Sequence, residues 1–121
     1  MDADSSAKLA ALIRAAKTAA LGTLREGGPF VSMVLFAVEG DFSAFYIHAS
    51  RLAFHTQDML ADPRVSLMIA ETETPGADPQ QLARISIRGE AALIAKDSPE
   101  YARVRDMYLA KYPSNAPLFG F

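Results

Sequence analysis

Three β-rich runs lie close together in the first half of the chain, and their spacing limits the fold more than any other feature. The runs cover residues 18–25, 30–39 and 42–48, and turn-forming residues separate them at 26–29 (EGGP) and 40–41 (GD). Connections this short join antiparallel neighbours, because a parallel pair needs a crossover of about a dozen residues or more. The pattern therefore predicts an antiparallel meander.

The other elements follow from periodicity and from start and stop signals. Residues 5–17 predict an amphipathic helix with Ser5 or Ser6 as its cap, and residues 51–60 and 98–112 predict two more helices. Residues 64–72 and 82–94 predict two further strands, joined by an exposed acidic loop. Gly89 inside the last strand suggests a bulge or a close backbone approach. The order α-β-β-β-α-β-β-α predicts an α+β fold built on a small antiparallel barrel with flanking helices.

The composition narrows the classes of function. The length of 121 residues suits a single domain over residues 1–121, and the net charge of −2 lacks the basic excess that a nucleic-acid partner requires. The absence of cysteine excludes disulfides, thiolate nucleophiles and iron–sulfur ligation. The longest apolar run, residues 34–38, is far too short to cross a bilayer, and the N-terminus is acidic where a signal peptide is basic. We therefore expect a cytoplasmic protein with no membrane partner.

The segment IHASRLAFHT at residues 47–56 is the best candidate for a binding site. It carries Ser50, Arg51, His55 and Thr56 from a strand end onto the first turns of a helix. Hydrogen-bond donors at a helix N-terminus form a natural phosphate pocket. The spacing alone equally allows Ser50 to be a simple cap and Arg51 a solvated side chain. His55 and Asp58 have helical spacing, but a metal site requires three or more convergent ligands. Asp62 does not complete such a set, so we expect no metal site here.

Five motifs in order resemble the pyridoxamine-phosphate-oxidase-like FMN-binding split barrels, nearest the HugZ-type haem-utilisation branch. They are AALGTL at 19–24, GPxxS at 28–32, SxLAxHT at 50–56, DPRxSL at 62–67 and RISIxG at 84–89. The resemblance implies a split β-barrel of the antiparallel Greek-key type, which pairs into a homodimer with FMN in clefts between the subunits. The chain stops where relatives continue into a last strand. We expect its apolar end, Leu118, Phe119 and Phe121, to pack against the partner subunit.

The same resemblance assigns the cofactor-binding residues. Ser32, Met33 and Val34 would lie along the isoalloxazine ring, Ser50, Arg51 and Leu52 would form the phosphate turn, His55 and Thr56 would follow on the helix, and Arg84 would stand near the ring. Two positions depart from the family pattern. Leu52 replaces a basic residue, and Asp58 stands where relatives often have Asn, so that its carboxylate would repel a phosphate unless it points away.

These residues imply an FMN-dependent oxidoreductase that acts on a small-molecule redox substrate. No catalytic acid or base is visible, and a flavin enzyme needs none, because the flavin performs the redox chemistry. Two alternatives remain open: a haem-binding or haem-degrading protein of the HugZ type, and a non-enzymatic dimeric barrel with a vestigial flavin cleft.

Overall fold

A four-stranded antiparallel sheet forms the centre of the fold in a computed structural model that describes residues 2–120. Its strands are β1 (Thr18–Arg25), β2 (Gly28–Leu35), β5 (Arg64–Ala70) and β6 (Arg84–Glu90), in the order β2-β1-β5-β6. A separate two-stranded sheet pairs β3 (Ala37–Val38) with β4 (Phe45–Tyr46). The larger sheet is open, and the α+β prediction of a split antiparallel barrel is confirmed.

Three α-helices flank the sheets. They are α1 (Ala3–Ala15), α2 (Phe54–Ala61) and α3 (Tyr101–Lys111). Helix α1 begins two residues before the predicted start, because Asp2 is its cap and accepts a hydrogen bond from the Ser5 amide at 2.7 Å. Within residues 2–120, every helix is too short or too polar to traverse a lipid bilayer.

The predicted strand over residues 30–39 is broken at Phe36. The Phe36 side chain is fully buried, and its amide donates to the Lys17 carbonyl at 3.3 Å, just beyond the last pair of the β1–β2 ladder. The Tyr112 hydroxyl lies 2.6 Å from the Phe36 carbonyl oxygen and 2.8 Å from the Lys17 carbonyl oxygen. A tyrosine 76 positions away thus bonds the backbone at the point where the predicted strand breaks.

Strand β6 contains no bulge, and the prediction made from Gly89 is wrong. Pairing with β5 runs without interruption from Arg64 opposite Glu90 to Ala70 opposite Arg84. Among residues 2–120, a Cβ placed on Gly89 would meet no atom within 4 Å, so the close backbone approach is not seen within this part of the chain either. The acidic loop before β6 is exposed as predicted, and a 3₁₀ turn at Pro79–Gln81 precedes the strand.

Two apolar clusters make up the core. The larger one covers the inner face of the sheet, and the smaller one lies between β3 and α3. The buried members of the larger are Ile13, Ala19, Leu21, Val34, Phe36, Leu67 and Ile69, and those of the smaller are Ala37, Tyr108 and Tyr112.

The apolar C-terminal segment packs on its own chain. Phe119, which we expected to contact a partner subunit, stacks on the His48 ring with a centroid distance of 3.7 Å and an interplanar angle of 9°. It also contacts Tyr108 edge to face. Leu118 is half exposed, and Phe121 lies outside the described residues. Phe119 is thus partly buried by its own chain, and its contact with a partner subunit stays a prediction.

Candidate functional site

The turn before α2 differs from the predicted helix start at residue 51. The helix begins at Phe54 after Ala53, which supplies no side-chain cap. Ser50 instead closes the preceding turn: its Oγ accepts from the Leu52 amide at 3.2 Å, and its carbonyl accepts from the Ala53 amide at 3.2 Å. Ser50, Arg51 and Leu52 are all exposed. The turn therefore presents a guanidinium to solvent, and no ion pair within residues 2–120 uses that group.

The first turn of α2 adds free donors beside that guanidinium. The backbone N–H groups at the start of a helix have no acceptor inside the helix, and they carry partial positive charge. His55 and Thr56 stand on this turn, and both are partly buried. This arrangement matches the donor set predicted for a phosphate.

Two hydroxyls from the predicted cofactor set are buried without a hydrogen-bond partner in the described chain: Ser32 Oγ and Thr56 Oγ1. An unsatisfied buried polar group costs about 1–3 kcal/mol, so such groups usually mark a missing ligand or water. Ser32 lies on the inner face of β2, two residues after Phe30, and Thr56 lies on α2, two residues after Phe54. The Phe30 and Phe54 rings meet edge to face at 6.2 Å, so the two elements are in contact. A third orphaned hydroxyl, on Ser98, precedes α3.

The three predicted residues of β2 face in different directions. Val34 belongs to the core, so that only its backbone remains for a ligand, whereas the Met33 side chain is 72% exposed on the opposite, outer face. Arg84 lies on the outer face of β6, with β1 and β5 between it and β2. Strand spacing places β2 and β6 about 14 Å apart, so one subunit does not bring Arg84 together with Ser32.

The outer face of the sheet is apolar where β1, β2 and β5 meet. Val31 and Met33 of β2 are 65% and 72% exposed, and Met68 of β5 stands in the same cross-strand row as Ala20 and Met33. A shallow depression of about 340 Å³ opens here, lined by Thr18, Ala19, Ala20, Val31, Ser32, Met33, Met68 and Ala70. Antiparallel sheets usually turn polar side chains to solvent on one face, so this surface is atypical of one.

Asp58 points away from the donor cluster, contrary to the concern that it would repel a phosphate. Its side chain is 5% exposed. Oδ2 accepts a hydrogen bond from Thr23 Oγ1 at 2.9 Å, and Oδ1 accepts one from Arg25 Nη1 at 2.9 Å. Arg25 thus balances the negative charge of the Asp58 carboxylate inside the fold.

Sequence reasoning missed this network, although one signal was available. Thr23 occupies an inward position in the alternation of β1, after Ala19 and Leu21, and a polar residue at such a position requires a buried partner. Asp62 also has an ion-pair partner, since its Oδ2 lies 2.6 Å from Arg64 Nη2. The described residues contain no group of three or more His, Cys, Asp or Glu side chains that could hold a metal ion.

His48, the other histidine of the 47–56 segment, packs against the smaller core cluster. Its ring stacks on Phe119 and meets Tyr108 edge to face. Burial lowers the pKa of His48 below its ordinary value, and the charge of Lys96 acts in the same direction. The imidazole therefore favours the neutral form.

The family model described as pyridoxamine 5'-phosphate oxidase matches residues 5–120. The chain belongs to this family. Among curated proteins it is 42% identical over 90 residues to the chloroplastic non-canonical heme oxygenase HOZ of Arabidopsis thaliana. That match covers 73% of this chain and 25% of the relative, so the chain spans about a quarter of the curated relative's length.

Solved structures of the same family share the fold. A heme binding protein from Mycobacterium smegmatis superposes with a TM-score of 0.78 at 25% identity, covering 95% of this chain and 46% of that one. HutZ from Vibrio cholerae, described as a heme storage protein, gives a TM-score of 0.78 at 22% identity over 88% of this chain and 74% of that one. The predicted place of the chain near the haem-utilisation branch of the family is confirmed.

Proposed function

We propose that this chain binds FMN at the α2–β2 junction and serves as an FMN-dependent oxidoreductase for a small-molecule substrate. The observation that carries the proposal is the pair of buried hydroxyls without partners among residues 2–120, Ser32 Oγ on β2 and Thr56 Oγ1 on α2, together with the exposed arginine turn that precedes α2. A ligand with a phosphate and polar ring atoms would satisfy both features. When bound, FMN supplies the redox chemistry itself.

The chain's own part in this function is binding and orientation. Arg51 and the free amides of the first turn of α2 would hold the phosphate, with His55 beside them. The Ser32 hydroxyl would form a hydrogen bond, as donor or acceptor, with a polar ligand atom. Met33 and Val34 would offer backbone hydrogen-bonding groups along β2. Leu52, 86% exposed, would contribute apolar contact and no charge.

We also propose that a second copy of the chain covers the outer face of the sheet. The exposed side chains of Val31, Met33 and Met68 form an apolar surface that a homodimer would bury. Light scattering should give the mass of a dimer, and Met33→Lys should give a monomer, since a lysine in a buried contact is costly.

The test of cofactor binding is titration of the purified protein with FMN, followed by the flavin absorption band and by quenching of flavin fluorescence. Arg51→Ala should weaken FMN binding about tenfold or more, because a lost charge-assisted hydrogen bond costs about 1.5–3 kcal/mol. Arg105→Ala, which removes a partly exposed arginine that pairs with Asp106 on α3, is the control and should leave the affinity unchanged. A native protein that neither shifts nor quenches FMN would refute the proposal.

Haem is the second candidate ligand, and the 42% identical relative named as a heme oxygenase favours it. His55 would be the imidazole at this site, since His48 is stacked on Phe119. A haem titration in the same cuvette distinguishes the two. A shift of the haem Soret band without quenching of flavin fluorescence would identify haem, and not FMN, as the ligand. The absence of both signals would favour a vestigial cleft.

A further inference from the structure

Arg25, at the end of β1, contacts two other elements at once. Its Nη1 donates to Asp58 Oδ1 on α2 at 2.9 Å, and its guanidinium carbon lies 3.8 Å from the centroid of the Phe54 ring on the same helix. The Phe30 ring on β2 lies 5.9 Å from that carbon. One side chain thus joins the β1–β2 hairpin to helix α2.

These contacts leave the helix little freedom. Phe54 and Asp58 are four residues apart and share one face of α2, so contact with both restrains the helix in translation and in rotation. The planar guanidinium can donate to the carboxylate and stack on the ring in only one arrangement. Asp58 is 5% exposed and Arg25 supplies its only ion pair within residues 2–120, so sliding the helix would leave a buried charge uncompensated.

The same helix carries one half of the proposed cofactor site, and the hairpin carries the other half. His55 and Thr56 lie on the turn that Arg25 contacts, and the Ser50 turn is joined to it through the Ala53 amide. Ser32 stands on β2, two residues beyond Phe30. The separation of the phosphate turn from the ring-binding strand therefore depends on Arg25.

We infer that Arg25 is a positioning residue, which sets the distance between the phosphate turn at residues 50–52 and strand β2 without touching the cofactor. The inference rests on the proposed binding of FMN. Its consequence is selective: loss of the link should weaken FMN, which must contact both halves, far more than riboflavin, which lacks the phosphate.

The experiment uses Arg25→Lys and the neutral double variant Arg25→Met with Asp58→Asn. The lysine keeps a charge for Asp58 but loses the planar stack, and the double variant avoids a buried lone charge. The control is Arg64→Met with Asp62→Asn, which removes the exposed ion pair at the other end of the same helix. For each protein, flavin fluorescence gives the dissociation constants of FMN and riboflavin, and thermal unfolding gives the midpoint.

The expected result is a rise of about tenfold in the FMN dissociation constant for both Arg25 variants, as is typical of coupled residues in one network. Riboflavin binding should change by no more than about twofold, within ordinary additivity error. The control should resemble the native protein for both flavins. If the double variant does not fold, Arg25→Lys alone carries the test.

Two outcomes would overturn the inference in different ways. If native protein binds FMN but the Arg25 variants change only the unfolding midpoint, the proposed function stands and Arg25 is merely structural. If native protein binds no FMN, the proposed function and the positioning role fail together.

Discussion

Helices α2 and α3 are held against the rest of the chain by two different kinds of contact. Helix α2 is tied to β1 by charge, through Arg25 and Asp58, and few apolar residues support it. Helix α3 is held by buried aromatic rings, Tyr108 and Tyr112, which pack with Phe119.

The difference shows how each contact specifies position. A buried ion pair fixes one arrangement but depends on every partner, because removing one leaves the other uncompensated. An aromatic cluster depends mainly on buried area, so it tolerates the loss of a polar atom more easily. The proposed site lies on α2, where the arrangement is specified more strictly.

Asp58→Ala should give the largest loss of stability. It leaves Thr23 Oγ1 buried without an acceptor and Arg25 without its ion pair, although Arg25 is 28% exposed and can regain water. We expect a loss of about 2–3 kcal/mol in the free energy of unfolding, measured by denaturant titration. Asp62→Ala is the control on the same helix. Equal losses in the two variants would show that burial of the ion pair does not matter.

Tyr112→Phe should have a smaller effect. It keeps the ring in the aromatic cluster but removes the hydroxyl that bonds the Phe36 and Lys17 backbones. The expected loss is about 1–2 kcal/mol in the free energy of unfolding, since the buried Phe36 carbonyl loses its hydroxyl donor, whereas the Lys17 carbonyl keeps the Phe36 amide. A loss as large as that of Asp58→Ala would contradict the contrast between charged and aromatic contacts.

The pH dependence of His48 should be the smallest effect. Burial, aided by the charge of Lys96, holds the folded-state pKa of His48 below its ordinary value of 6.5. As the pH is lowered, His48 therefore takes up a proton in the unfolded chain before it does so in the folded chain. The contribution of His48 to the free energy of unfolding is fully present above pH 6.5 and falls as the pH drops below that value. Unfolding free energies measured at several pH values for native protein and for His48→Phe should diverge in slope only below that pH. Parallel profiles would refute the prediction.

Local pattern predicted the fold well where a residue's role depends on its neighbours in sequence. Strand β1 has the predicted bounds, and its alternation places Ala19 and Leu21 in the core and Ala20 on the outer face. Residues 30–39 behaved differently. Their apolar character on both faces was read correctly, but the strand breaks at Phe36, where the Tyr112 hydroxyl bonds the backbone from 76 positions away.

The candidate site shows the same division. The segment at residues 47–56 was recognised from its donors and from the family motifs, and the structure keeps Ser50, Arg51, His55 and Thr56 on one turn and helix start. The role of Asp58 could not be predicted, because it depends on Thr23 and Arg25, which lie 35 and 33 positions away. A carboxylate read in isolation looked repulsive to a phosphate, whereas its partners make it part of the frame.

The sequence by itself determined the family, the succession of helices and β-rich regions and the identity of the donors, because these depend on periodicity and short motifs. It did not determine the division of residues 30–39 into β2 and β3. Only the tertiary structure decided which buried polar groups have hydrogen-bond or ion-pair partners and which have none. Asp58 finds partners on β1, while the hydroxyls of Ser32 and Thr56 find none among residues 2–120. The physical reason is that the energy of a buried polar group depends on what lies within hydrogen-bond distance, and packing of α2 against the hairpin sets that distance.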